Sequence, residues 1–393
     1  MEALSLKKLS RFDLEKSLEE RLLKEEGHKR IFDFLDTFRE IQIADQFIRD
    51  LPSFPRSTED IFRHELRSVV GATLAIEGTV LREEEIEKSF QKADLQKKLK
   101  SKEQEAQNAR KTYEYIILVG TCEGKFVYTE EVIKQIHQYL TDNIECVSPN
   151  VPGQYRDTTA QFGAPRKISF CKSRADIEAI MPKFINWLNK TDSGILNSNP
   201  TVKAIMAHYY LTEIHPFGDG NGRTARALEA LALYVNGINP YCFGSLANFW
   251  DEHRDQYIVH LGNIRSTCDP WDFLIWGTRG YLDRIRGIKD LVLKKVKQLM
   301  LKDYTGWLYR RKRINPRIYG ALLLLIQSGK MLFEEFLSSP ELVTLYSKRE
   351  TSTRYRDFKK MEKTLGLIRI FKEDGKKYIE PNFEILEKLQ YVI

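Results

Sequence analysis

His215-Pro216-Phe217-Gly218-Asp219-Gly220-Asn221-Gly222-Arg223-Thr224-Ala225-Arg226 gathers an imidazole, a carboxylate, three glycines and two arginines into twelve residues. Upstream, Val202, Ile205, Met206, Tyr209 and Tyr210 recur at helical spacing, which predicts an apolar helix over 201–214. Pro216 cannot continue that helix and biases His215 away from helical backbone, so His215 belongs at a helix exit. The glycine-rich turn can adopt positive φ and turn successive N–H groups toward an anion. A second helix is expected from near Arg223, with Asn236-Gly237 as its C-cap. An anion held by the turn would sit at that helix's N-terminus, where unpaired N–H groups and the dipole favour phosphate. Arg223 and Arg226, three residues apart, share a helix face suited to a polyphosphate. Asp219 is placed to hold Mg²⁺, which takes one or two carboxylates plus phosphate oxygens. His215 titrates near neutrality and can take a proton from an attacking hydroxyl.

Other motif readings fail in detail. A P-loop requires a Gly-x-x-x-x-Gly-Lys-[Ser/Thr] run after a strand, whereas Gly218 to Thr224 is one residue short, has Arg for Lys and follows a helix. An EF-hand loop needs several acidic residues at alternate positions, and only Asp219 is present.

The twelve-residue string resembles the Fic-domain signature, H-x-F-x-[DE]-G-N-G-R-x-x-R, at all eight specified positions. The resemblance implies a mainly α fold, a Fic helical core with a β-hairpin flap, and transfer of AMP from ATP to a Ser, Thr or Tyr hydroxyl of a protein. It implies His215 as the catalytic base and Phe217 as the loop's anchor in the core. Asp219 would be the Mg²⁺ ligand and Gly220, Asn221 and Gly222 the anion nest. Asn221 would also touch the α-phosphate, with Arg223 on the β-phosphate and Arg226 on the γ-phosphate. Residues 62–77 form an amphipathic pattern (Phe62, Leu66, Val69, Val70, Thr73, Ile76) that ends in Thr73-Leu74-Ala75-Ile76-Glu77-Gly78. This is similar to the [ST]-x-x-x-E-[GN] inhibitory motif of Fic proteins. By that likeness Glu77 would pair with Arg226 and deny it to ATP, and in some relatives the equivalent Glu also supports removal of AMP. Lesser likenesses are Asn108, the 126–133 segment followed by His137, and Pro152 to Arg156 as the start of the flap. Thr158 to Pro165 departs from the usual flap pattern. Ser245 and Arg254 to Tyr257 resemble the wall of the nucleoside site, with Asn248 and Tyr257 as adenosine-site candidates. Gln256-Tyr257 stands where the family often has Tyr-Tyr.

With 42% hydrophobic and 30% charged residues, the 393-residue chain is a globular protein of two or three domains. No run of 18 apolar residues exists and the N-terminus lacks a secretory pattern, so no membrane role and a cytoplasmic location are expected. Cys122, Cys146, Cys171, Cys242 and Cys268 are odd in number and scattered, as reduced thiols would be. Residues 301–393 hold 19 Lys and Arg against 12 Asp and Glu, which accounts for the whole net charge of +7. A basic surface, if used, belongs there and not to the motif.

Four segments are expected: a helical region over 1–55, the core over 56–290, a connecting helix over 291–313 and a small domain over 314–393. Helical patterns run over 14–24 and 31–47, separated from the core by Leu51 to Pro55. The charged stretch Lys92 to Lys111 reads as a solvated helix or loop. In the last segment an apolar helix covers 316–327 and short apolar pieces cover 333–337 and 342–346. Ser352 is expected to cap a helix over 353–365 with Tyr355, Phe358, Met361 and Leu365 inward. Glu373-Asp374-Gly375 is a hairpin turn. This order resembles a winged helix, whose basic helix faces DNA or, as favoured here, another protein or a second copy in a homodimer, because +7 over 93 residues is modest.

Overall fold

The computed structural model describes residues 27–50, 55–96, 98–121, 125–146, 148–162, 167–168, 171–190, 199–238, 246–267 and 269–389. The chain divides into two compact units, one up to Lys289 and one from Asp290.

The first unit is built from helices α1 (Gly27–Asp50), α2 (Pro55–Ile76), α3 (Glu83–Asp94), α4 (Ser101–Gly120) and α5 (Glu130–Thr141), then a β1–β2 hairpin (Gln161–Phe162, Lys167–Ile168). Helices α6 (Arg174–Asn189), α7 (Pro200–Ile214), α8 (Asn221–Val235), α9 (Ala247–Glu252) and α10 (Arg254–Thr267) follow, and α11 (Trp271–Arg310) begins here. At the centre lies α7, buried on every side, which is why its sequence is apolar all round. It packs against α8, to which the loop 215–220 joins it. Asn199 caps α7 by accepting from the Thr201 and Val202 N–H groups, with Pro200 at the first turn. The N-terminal helical region is no appendage: Phe34 of α1 packs edge-on against Trp271, and Arg49 donates to the Gly237 carbonyl.

The charged stretch 92–111 is not simply solvated. Its second half opens α4, which buries Ala106, Asn108 and Ala109, because charged residues there are spaced to leave one small-residue stripe facing the core. The hairpin pairs Gln161 with Ile168 and Phe162 with Lys167, which gives the expected flap two short strands. The flap tip at 163–166, the helical pattern at 14–24, the break at 51–54, Ser245 and Cys122, Cys242 and Cys268 lie outside the described residues. No helix among the described residues is long and apolar enough to cross a membrane.

In the second unit α12 (Pro316–Ser328), β3 (Met331–Leu332), α13 (Phe333–Ser338), α14 (Pro340–Tyr346) and α15 (Thr351–Lys359) precede one π turn at Lys360–Thr364. A hairpin of β4 (Ile368–Glu373) and β5 (Lys376–Pro381) and a final helix α16 (Glu384–Leu389) complete it. The sheet order is β3-β5-β4. Asp374 and Gly375 both take positive φ, as a two-residue hairpin turn requires.

α15 departs from expectation. Glu350, not Ser352, is its N-cap, and Tyr355 is 71% exposed. Phe358 and Met361 face inward as expected, but Tyr355 lies about 120° from Met361 around the helix and falls at the exposed edge of the stripe. The helix instead turns Asp357 inward, where Arg317 Nε donates at 3.1 Å and Tyr346 Oη at 3.2 Å.

Candidate active site

His215 is the C-cap of α7, in the left-handed region at φ 51°, ψ 58°, with its N–H on the Leu211 carbonyl at 2.9 Å. Pro216 bars the helical alternative. His215 Nδ1 lies 3.2 Å from the Thr212 carbonyl oxygen. A carbonyl only accepts, so Nδ1 carries the proton and Nε2 is the acceptor of the neutral ring. Behind the loop, Arg156 donates from Nε to the His215 carbonyl at 2.7 Å, from Nη2 to the Cys171 carbonyl at 2.6 Å and from Nη1 to the Thr158 carbonyl. The Arg156 N–H meets the Pro216 carbonyl at 2.9 Å. Burial lowers the Arg156 guanidinium from its ordinary pKa.

Close packing sets the path of the loop. A Cβ at Gly218 would stand 2.0 Å from the Pro149 carbonyl oxygen, so only glycine passes. Phe217 is fully buried and its ring stacks on His137, centroids 3.7 Å apart and 2° from parallel. His137 Nε2 donates to the Asp219 carbonyl at 3.0 Å while Nδ1 accepts from the Gly153 N–H at 2.9 Å. Desolvation pushes the His137 pKa down to about 4, so it is a neutral strut. The Asn221 amide clamps Phe217 from the other side, accepting from its N–H at 3.0 Å and donating to its carbonyl at 2.9 Å. Gly220, at φ +74°, is the N-cap of α8, which therefore starts at Asn221, two residues before the expected point.

Asp219 Oδ1 accepts from the Gly220 N–H at 2.5 Å and from Arg223 Nη2 at 3.5 Å, and Asn150 Oδ1 accepts from the Asp219 N–H at 3.2 Å. Among the described residues no group of three His, Cys, Asp or Glu could cage a metal. The single carboxylate of Asp219 suits a Mg²⁺ ion completed by phosphate oxygens and water, not a protein-only site. Arg223 is buried, and its Nε has no hydrogen-bond partner. A polar cavity of about 660 Å³, lined in part by Cys146, Pro149 and Asn150, opens beside the loop. Burial raises the Cys146 thiol pKa, so this cysteine is not an activated nucleophile.

Helix α2 delivers its last turn onto Arg226. Glu77 Oε1 lies 2.7 Å from Arg226 Nη2. Thr73 adds its hydroxyl to Arg226 Nε at 2.9 Å and its carbonyl to Nη2 at 3.0 Å. Arg226 is 1% exposed, whereas the Glu77 side chain is 38% accessible. Desolvation works against the Glu77 charge, but the attraction and hydrogen bond of Arg226 outweigh it and hold the carboxyl below its ordinary pKa.

Asn248 donates to Ser68 Oγ on α2 at 2.5 Å, and its Oδ1 is buried without a partner. Tyr257 is buried, and its hydroxyl is committed to His208 Nε2 at 2.8 Å, behind Arg226 and not on an open wall. Asn108 is structural, bridging Gln104 and the Asp142 carbonyl. The sequence reading missed the support given by Arg156, Asn150, His208 and Glu229. A charged residue buried against backbone carbonyls leaves no local pattern, and only the His208-to-His215 spacing along one apolar helix hinted at a second embedded imidazole.

Residues 127–233 match the model of the Fic/DOC family. The protein adenylyltransferase Fic of Culex quinquefasciatus is 28% identical over 177 residues, 42% of this chain and 32% of that protein. The chain thus spans about a third of the length of the curated relative it matches. A crystal structure of a Fic family protein from Desulfovibrio desulfuricans G20 shares the fold at TM-score 0.50 and 18% identity, over 88% of this chain and 95% of that one. Fic-1 (residues 134–508) from C. elegans does so at TM-score 0.53 and 20% identity, over 67% and 73%. The matched residues 127–233 include the loop from His215 to Arg226, so the site described above lies inside the region that is similar to the Fic/DOC family.

Proposed function

We propose that this chain is an autoinhibited protein adenylyltransferase that moves AMP from ATP to a protein hydroxyl, its own included. The observation that carries the reading is the loop geometry: an imidazole of set tautomer, a carboxylate and the N-terminus of α8 are held together by buried struts. His215 Nε2 takes the proton of the target hydroxyl. The oxygen attacks the α-phosphorus, the bond to the β-phosphate oxygen breaks and pyrophosphate leaves. Asp219 would hold Mg²⁺, which supplies charge neutralisation at the phosphates when bound. The Gly220–Gly222 backbone and Arg223 orient the phosphates, and the orphan Nε of Arg223 supports that role. Asn221 acts through the loop, and the unpartnered Asn248 oxygen favours a nucleoside contact. Arg226 takes the γ-phosphate once Glu77 withdraws. Glu77 is also a carboxylate able to activate water for removal of AMP.

Incubation with labelled ATP and Mg²⁺ tests this. Weak labelling of the chain or of added protein is expected, stronger after Glu77→Gly and lost after His215→Ala or without Mg²⁺. Labelling that persists in His215→Ala, with no gain in Glu77→Gly, would overturn it.

For the second unit the order β3-β5-β4 supports a winged helix. We favour protein contact, a second copy included, over DNA as its use. Sedimentation against concentration tests self-association, and salt-dependent binding to a specific duplex would favour DNA instead. The odd number and scattered places of the five cysteines support a reducing, cytoplasmic setting.

A further inference from the structure

Behind Arg226 runs a row of buried polar groups that the proposed reaction does not touch. His208, on α7, is fully buried; its Nδ1 lies 2.5 Å from Glu229 Oε2 and its Nε2 lies 2.8 Å from Tyr257 Oη. Glu229 is fully buried too, three residues beyond Arg226 on α8, and Trp250 Nε1 donates to the same Oε2 at 3.0 Å. The Tyr257 hydroxyl also lies close enough to the Arg226 guanidinium for each to act on the other's charge. A guanidinium presents only donors, so the lone pairs of the tyrosine oxygen are the side turned to it and its O–H points to His208 Nε2. His208 Nδ1–H then points to Glu229. One carboxylate is thus linked to Arg226 through a phenol and an imidazole.

The link answers a charge problem. Arg226 is almost wholly buried, and a buried cation needs a counter-charge. Glu77 supplies one, but it is the partly accessible partner, at the end of α2. The two Thr73 oxygens are neutral. When Glu77 leaves, Glu229 stays as a fully buried carboxylate, beside the more accessible Asp251 that also feels the Arg226 charge.

We propose that Glu229, His208 and Tyr257 are positioning residues for Arg226, holding its guanidinium in one orientation whether Glu77 or a triphosphate occupies its outer face. The identity of that second occupant rests on the adenylyltransferase reading; the relay itself does not.

Two measurements on the full chain test this, using Tyr257→Phe alone and combined with Glu77→Gly. In thermal unfolding, the fall in Tm caused by Tyr257→Phe should be at least twice as large in the Glu77→Gly chain as in the parent. Equal falls overturn the relay, whatever the chain binds. In calorimetry on Glu77→Gly, adding Tyr257→Phe should weaken ATP about tenfold, the scale of one lost charge-assisted hydrogen bond, and leave AMP, which has no γ-phosphate, unchanged. Equal losses for both nucleotides would mark a merely structural tyrosine, and no loss for either would remove Arg226 from its reach. If Glu77→Gly binds neither nucleotide, the adenylyltransferase reading fails while the unfolding comparison still decides the relay.

Discussion

Glu77 rests on Gly222: a Cβ added at 222 would stand 2.5 Å from Glu77 Oε1 and 3.3 Å from Arg226 Nη1. The glycine is the floor under the Glu77 carboxylate. Gly222→Ala should therefore lower stability in the parent by about 1–3 kcal/mol, through overpacking. Combined with Glu77→Gly the same change should raise stability, since alanine is the better helix former by up to about 1 kcal/mol. Urea unfolding of the four chains checks the change of sign, and a loss of equal size in both backgrounds would show that Glu77 does not bear on this position.

Thr73 holds Arg226 with two oxygens, and only one of them belongs to its side chain. Thr73→Val keeps the shape and removes the hydroxyl, leaving a buried guanidinium N–H without an acceptor. A loss of about 1–3 kcal/mol is expected in urea unfolding. Labelling from ATP should rise, as is expected for Glu77→Gly, because Arg226 is held less firmly. A stable variant with unchanged labelling would assign Thr73 to packing alone.

Arg156 is buried, and it braces the carbonyl of the residue proposed as the base. Arg156→Lys is expected to abolish labelling by at least tenfold, because a point-like ammonium cannot serve three carbonyls spread around a planar fork. Recovery of activity by lysine would show that charge, not the fork, is what matters. Circular dichroism of the variant separates loss of the loop from loss of the fold.

Acid should unfold the protein in two stages of different origin. The folded pKa of His137 is about 4, below the ordinary 6.5, so between those values the unfolded chain takes up a proton that the folded chain refuses. Stability should fall by on the order of 3 kcal/mol as the pH drops from about 6.5 to 4. Glu77 is likewise held below its ordinary 4.5, so its ion pair is intact above that value and is lost only as the pH falls through its lower folded value. Unfolding curves at stepped pH should show the first loss in the parent and not in His137→Gln. A parallel fall in both chains would remove His137 as its cause.

The parts of the site that could be read from the chain are those set by short-range rules. Pro216 ends α7 and glycines bend the loop, so the turn after His215 was legible. The pairing of Glu77 with Arg226 was reached through resemblance, because 149 residues separate them, and the grip of Thr73 on Arg226 was not foreseen. The struts were not legible. Arg156 reads as surface charge until the carbonyls of Thr158, Cys171 and His215 converge on it. Tyr257 shows the converse: its place near the site was anticipated, but only three-dimensional packing turns its hydroxyl inward to His208. Tyr355 failed because a three-residue spacing drifts around the helix, and buried Asp357 took the facing position.

The left-handed backbone of His215 carries a thermodynamic meaning of its own. A non-glycine residue in that region costs about 1–2 kcal/mol, which glycine or asparagine would largely avoid. A chain optimised for robustness alone would not place an imidazole there. Replacing His215 by glycine should make the protein harder to melt and useless as a catalyst, so position 215 is where heat tolerance and chemistry pull the sequence in opposite directions.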